Sequence, residues 1–181
     1  HYDTVFEDYY KVATPRMISM IKISVSDPSS PTDSEKEKLK EVQELLKDGK
    51  SFGDVAKDYS DDSTTKSAKG SLGVVDTTSN LTNIYGSTIN EAAFSLTEGQ
   101  TSDVLTGTDG YYILKCTSTS KEKIKKKLKN VTIQSPLLTY DDYIIYLAFK
   151  TYDIEYKDAK IKKAVNEAIK EGLKSRAAER K

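Results

Sequence analysis

Apolar side chains recur along this chain with two periods, and the switches between them mark out its elements. Val5, Phe6, Tyr9 and Tyr10 fall at helical spacing within Tyr2–Val12, a helix that Pro15 stops. Met17–Val25 alternates instead. Ile21, Ile23 and Val25 point one way and Met20, Lys22 and Ser24 the other, the pattern of a half-buried strand. Asp27–Pro31 reads as a loop. The spacing Ser34-x-x-Glu37 predicts a capping box opening a helix whose stripe is Leu39, Val42, Leu45 and Leu46, ended by Asp48–Gly49. Ser51-x-x-Asp54 predicts a cap for a shorter helix with Phe52, Val55, Ala56 and Tyr59 inward. Ser60–Lys69 is a polar loop, Gly70–Val75 a short strand and Ile89–Leu96 a short helix. Val104–Leu105 and Tyr111–Thr117 make a hairpin, with Asp109–Gly110 supplying the turn.

The predicted order is β, α, α, β, α, β, β. An α+β fold follows, with a small antiparallel or mixed sheet covered by helices on one side. The character changes at Lys121. A Lys-rich run covers Lys121–Lys129, and Thr139-x-x-Asp142 caps a helix bearing Tyr143, Ile144, Leu147 and Ala148. Asp158 opens a longer helix striped with Ile161, Ala164, Val165, Ala168, Ile169 and Leu173. That stripe needs a partner: the N-terminal helix, another chain or sequence outside this one.

Composition narrows the chemistry. The 181 residues carry no net charge, yet residues 118–181 hold 16 Lys/Arg against 9 Asp/Glu, so neutrality hides an acidic first part and a basic tail. With 36% hydrophobic and 31% charged residues, the core is small and much helix is solvated. Twelve tyrosines and four phenylalanines argue against disorder. The longest apolar run, Tyr143–Phe149, is too short to cross a membrane. There is no signal peptide, and the first residue is not methionine, so a trimmed piece of a longer protein is expected. The one histidine is His1, which argues against Ser-His-Asp and Cys-His catalysis. Cys116 alone makes no internal disulfide, and there is no Cys/His zinc cluster. Asp58, Asp61 and Asp62 lack the other ligands of a calcium loop. The chain offers no cofactor or metal site. The Lys-rich run has no stacking or base-reading pattern beside it and reads as a solvated helix face, so no nucleic-acid partner is expected.

One composite pattern says more than any single motif. Phe52-Gly-Asp-Val-Ala-Lys-Asp-Tyr-Ser60-Asp-Asp62 is followed by Gly70-Ser-Leu-Gly73, Asn90-Glu-Ala-Ala-Phe94-Ser-Leu96, Glu98-Gly-Gln-Thr-Ser102 and Asp109-Gly-Tyr-Tyr-Ile-Leu-Lys115. In this order and with these gaps the string resembles a parvulin-type peptidyl-prolyl cis-trans isomerase domain. The resemblance covers 17–117 and implies an FKBP-like βα₃βαβ₂ fold. The flanks, 1–16 and 118–181, resemble those of PrsA/SurA-like extracytoplasmic foldases, in which terminal helices fold together into a chaperone domain split by the parvulin domain. That implies clients that are unfolded or proline-containing polypeptides. It also implies a possible homodimer through the helical flanks and a place outside the cytoplasm. There the protein would sit on the outer face of a Gram-positive cell membrane or in a periplasm, held to membrane only by an anchor outside this sequence.

The same resemblance assigns residues. Two histidines usual in the family fall on Met20 and Tyr112, and both are absent. The position of the family's cysteine or aspartate falls on Asp62. The proline pocket maps to Leu72, Ile89 and Phe94, with Tyr85 on its rim. Rotation about an X-Pro bond needs no covalent intermediate, only relief of a barrier of about 18–20 kcal/mol set by amide resonance. An apolar slot and a placed polar group suffice. Tyr112 can donate a hydrogen bond, whereas Met20 can only pack. Two readings stay open: an isomerase with a rebuilt site, and a catalytically inactive module that holds unfolded chains.

Overall fold

The computed structural model describes residues 2–131, 133, 148, 151–152 and 154–178. They form two compact units, one from Thr14–Val131 and one from the described parts of residues 1–13 and 132–181. In the first unit, β1 (Arg16–Ser24) is followed by helices α2 (Asp33–Lys47), α3 (Phe52–Tyr59) and α4 (Ser63–Lys66). Then come β2 (Ser71–Val75), α5 (Leu81–Tyr85), α6 (Ser87–Ser95), β3 (Leu105–Thr106), β4 (Gly110–Ser118) and α7 (Lys121–Leu128). The second unit holds α1 (Tyr2–Ala13) and α8 (Ala159–Ala178). Among the described residues no helix is long and apolar enough to cross a membrane.

The sheet is four-stranded, in the order β2-β1-β4-β3, and every pairing is antiparallel. Alternation along its two central strands sets what each face carries. Ile18 and Met20 of β1 share a face with Tyr112, Leu114 and Cys116 of β4, packed against Ile89, Ala93 and Leu96 around α6. Ile21, Ile23 and Ile113 take the other face, under Val42 of α2 and Phe52, Val55 and Ala56 of α3. Helices therefore cover both faces, where the sequence pattern predicted one. The Met20 side of β1 looks polar because Lys22 and Ser24 follow it, yet α6 returns from far along the chain to bury it.

Local chemistry corrects some boundaries. The capping box of α2 is Thr32–Glu35 and not Ser34–Glu37: Glu35 N donates to the Thr32 hydroxyl, and the Glu35 carboxylate accepts from Thr32 N at 2.7 Å. Ser51 is the N-cap residue of α3, but its side chain makes no capping bond. The expected Ser60–Lys69 loop contains α4, and α5 was not expected at all. Gly49 follows the end of α2 with φ +82, as the Asp48–Gly49 stop requires.

The Lys-rich run is a short helix. Ser120 caps α7, Ile124 and Leu128 are buried, and Lys123, Lys126 and Lys127 face solvent. The compact unit thus runs past Thr117 to take in α7. In the second unit, α1 ends before Thr14 and Pro15 as the pattern predicts, with Phe6 buried and its ring 6.2 Å from that of Tyr9. Asp158 Oδ1 accepts from Lys160 N at the start of α8. Ile161, on the apolar stripe of α8, is 57% exposed. The helix expected after Thr139 lies outside the described residues, apart from Ala148.

Candidate active site

Antiparallel register brings Met20 and Tyr112 together. Met20 stands opposite Leu114 and Lys22 opposite Tyr112, so Met20 and Tyr112 are diagonal neighbours on one face. Both are buried, as is Ile89 from α6. Leu72, Tyr85 and Phe94 belong to the same cluster but keep part of their surface in solvent. The structure thus gathers Met20, Tyr112, Leu72, Tyr85, Ile89 and Phe94 into one apolar cluster with two layers. Met20, Ile89 and Tyr112 form its floor; Leu72, Tyr85 and Phe94 are the part a ligand can touch.

Asp62 reaches the site as the N-cap of α4. The turn that carries it is tied to β1. Buried Ser60 accepts through its hydroxyl oxygen from Lys22 N at 3.1 Å and from Asp62 N at 3.3 Å, and Asp61 N donates to Lys22 O at 2.7 Å. Asp62 Oδ1 accepts from Thr64 N at 2.9 Å and from the Thr64 hydroxyl at 2.6 Å. Asp62 Oδ2 is buried with no hydrogen-bond partner, in a residue only 8% exposed. A buried acceptor left unpaired costs stability, and this oxygen is available to a further hydrogen-bond donor.

The two phenols meet edge to face, with ring centres 6.1 Å apart. Burial, then the Asp62 charge, pushes the Tyr85 phenol above its usual pKa. Burial, then the hydrogen bond to Asp109, pushes Tyr112 further up. The Tyr112 hydroxyl donates to Asp109 Oδ1 at 2.6 Å. Lys22 Nζ pairs with Asp109 Oδ2 and stands 5.7 Å above the centre of the Tyr112 ring. Lys22, then the Tyr112 hydroxyl, holds the Asp109 carboxyl below its ordinary range.

These phenols predict an alkaline weakness. A phenol freed by unfolding ionises near its ordinary value of 10, while Tyr112 in the fold stays protonated. Its contribution to stability is complete below pH ~10 and is lost as pH rises through the folded value. The melting temperature is expected to fall above pH ~10, and less steeply in Tyr112→Phe, which has no phenol to ionise. Parallel slopes in the two proteins would exclude Tyr112 as a cause.

Arg16 holds the wall. Its Nη1 donates to the carbonyls of Ala93, Phe94 and Leu96 at 3.2, 2.6 and 3.1 Å, and its guanidinium carbon lies 5.2 Å from the centre of the Phe94 ring. One cation thus satisfies the C-terminal carbonyls of α6 and stacks on a pocket residue. Sequence reasoning missed the roles of Arg16, Lys22, Ser60 and Asp109. The Tyr59-Ser60 pair and the Asp109-Gly110 turn were in view as motif and hairpin signals, but their partners lie far along the chain. Among the described residues no group of three or more His, Cys, Asp or Glu side chains is placed to hold a metal ion. The site's chemistry is an apolar floor, an open apolar wall and one uncommitted buried carboxylate oxygen.

Comparison with known proteins fits this arrangement. A family model described as the PPIC-type PPIASE domain, or Rotamase, matches residues 20–118. The "Foldase protein PrsA" of Staphylococcus aureus strain bovine RF122 / ET3-1 is 34% identical over 157 residues, which cover 82% of this chain and 47% of that protein. The protein of the same name from strain MRSA252 matches equally. The chain therefore spans about half the length of the curated relatives it matches. The crystal structure of PrsA from Bacillus subtilis superposes with a TM-score of 0.52 at 29% identity, covering 91% of this chain and 60% of that one. With the family model spanning more than half of the sequence and the strands, helices and motifs in the family's order, the chain belongs to the PPIC-type peptidyl-prolyl isomerase family, the parvulins.

Proposed function

We propose that this chain is the isomerase part of an extracytoplasmic foldase and speeds cis-trans exchange at X-Pro bonds of unfolded, secreted polypeptides. The observation that carries this is the buried, unpartnered Asp62 Oδ2 beside a cluster with an open apolar wall. Proline docks its ring against Leu72, Tyr85 and Phe94, over the floor of Met20, Ile89 and Tyr112. Docking turns the Asp62 carboxylate out of its buried position, and Oδ2 then accepts a client backbone N–H, which fixes one side of the bond while the other turns. Leaving water lowers the cost of breaking amide resonance, because the twisted amide is less polar than the planar one. No histidine is needed for this, since no proton moves to or from carbon and no covalent bond forms.

The likeness to the Staphylococcus aureus foldases supports a place outside the cytoplasm of a Gram-positive cell. In the same reading the flanks, 1–16 and the part of 118–181 that follows α7, contribute to a chaperone domain around the parvulin domain of 17–117, and the helical flanks are where a homodimer would form. The basic tail is then a client-binding or packing surface.

The test is a proline isomerisation assay on a panel of X-Pro peptides, paired with peptide affinities. Phe94→Ala removes part of the wall, and its half-buried ring can be lost without opening the core. It is expected to weaken peptide binding about tenfold, the equivalent of roughly 1.4 kcal/mol. Unchanged affinity in a folded Phe94→Ala would reject the proline pocket. Peptide binding without acceleration would instead favour a module that holds chains and does not turn them.

A further inference from the structure

Tyr112 stands where the family places a histidine, and alone it would be a hydrogen-bond donor to the client. Its surroundings argue otherwise. Its single proton goes to Asp109 Oδ1 at 2.6 Å, out to the turn of the β3–β4 hairpin. Asp109 is itself held from the other side, where Lys22 Nζ takes Oδ2. Lys22 also caps the Tyr112 ring, at 5.7 Å from its centre. The ring has no slack: a Cβ added at Gly107 would come within 2.5 Å of Tyr112 Cε2.

We propose that Lys22 and Asp109 are positioning residues, which lock the Tyr112 hydroxyl away from the client so that Tyr112 serves the site as ring and acceptor, not as donor. This rests on the isomerase reading of the same site. Charge makes the lock firm. A carboxylate accepts more strongly than a neutral oxygen, and the ammonium keeps Asp109 ionised and in place. Other charged or titratable groups facing Tyr112 are Asp62, ahead of α4, and Tyr85 of α5. With Tyr112 committed, client recognition falls to acceptors, Asp62 Oδ2 foremost, and the matching client group is a backbone N–H.

The test is a double-mutant cycle in the full chain, using Asp109→Ala, which leaves no acceptor for the Tyr112 hydroxyl, and Tyr112→Phe, read as kcat/KM on an X-Pro peptide. Asp109→Ala is expected to reduce kcat/KM about tenfold where residue 112 is Tyr and by less than about twofold where it is Phe, since Phe has no proton to hold. Equal losses in both backgrounds would overturn the proposal. A second variant, Lys22→Met, leaves Asp109 and Tyr112 intact but removes the cation. In wild type Lys22 holds the Asp109 carboxyl below the usual carboxylate range, and in Lys22→Met the midpoint of its carboxyl-carbon NMR titration is expected to move to higher pH. A midpoint that Lys22→Met leaves unmoved would also overturn the proposal. If wild type shows no acceleration at all, the isomerase reading fails by itself. The carboxyl-carbon NMR titration of Asp109 then decides the lock. A rise of its midpoint in both Lys22→Met and Tyr112→Phe supports it, and an unmoved midpoint rejects it.

Discussion

Asp62→Asn is expected to lower kcat/KM on X-Pro peptides by about 10- to 100-fold, the loss typical of a hydrogen bond to a charged group. The substitution is chosen to spare the fold. Asparagine caps a helix about as well as aspartate, and its side-chain oxygen can still accept from Thr64 N and the Thr64 hydroxyl, as Asp62 Oδ1 does. What changes is the other atom. The unpartnered Oδ2 acceptor becomes an amide donor, which cannot take a client N–H. Stability is expected to move by less than about 1 kcal/mol, because a buried unpaired charge is removed while the cap is kept. Asp62→Ala should lose the activity and also about 1 kcal/mol of cap. An Asp62→Asn protein with wild-type kcat/KM would sink the assignment of Asp62 to the client.

Gly70→Ala is expected to destabilise the first unit by about 2–5 kcal/mol. Left-handed backbone costs an alanine about 1–2 kcal/mol, and forced contacts in a packed core add about 1–3. Gly70 has φ +79, and a Cβ there would lie 2.4 Å from Met20 O and 2.8 Å from Ala56 Cβ. The carbonyl of Gly70 accepts from Met20 N at 2.8 Å, so the same strain pulls at the floor of the site. Gly49→Ala is the control: its φ is +82, but nothing lies within 4 Å of the added carbon. Gly49→Ala should therefore show the conformational cost alone, and Gly70→Ala a melting temperature lower by a further ~10 °C or so. Equal midpoints for the two variants would refute the close approach.

Much of the fold could be read directly. The helix of Phe52, Val55, Ala56 and Tyr59, the strand at Met17–Val25 and the Asp109–Gly110 hairpin depend on spacing within a few residues, and they stand where the pattern predicts. The capping box of α2 was misplaced by two residues because Thr32-x-x-Glu35 and Ser34-x-x-Glu37 carry the same spacing, and only the path of the chain selects between them. Helix α5 was missed for a related reason. It is five residues long, its N-cap Asn80 adopts a left-handed conformation (φ 54), and no side chain caps it, so it has none of the usual start signals. Packing against the sheet stabilises it, not propensity.

The candidate site divides in the same way. Asp62, Leu72, Phe94 and Tyr112 lie within the ordered motifs, because a family's motifs are local strings, whereas Met20, Tyr85 and Ile89 lie outside them and enter only through the family resemblance. The sorting of these residues into a buried floor and an open wall was not legible, since burial depends on α6 folding back over β1. The partners were not legible either. Lys22 meets Asp109 across 87 positions of chain, and Arg16 meets Phe94 across 78. Short-range periodicity, caps and turn residues carry the order of elements and the family. Which proton is free, which oxygen is orphaned and which ring is pinned follow from antiparallel register and helix docking. Those long-range contacts exist only once the sheet has closed, and no window of the sequence holds both halves of them.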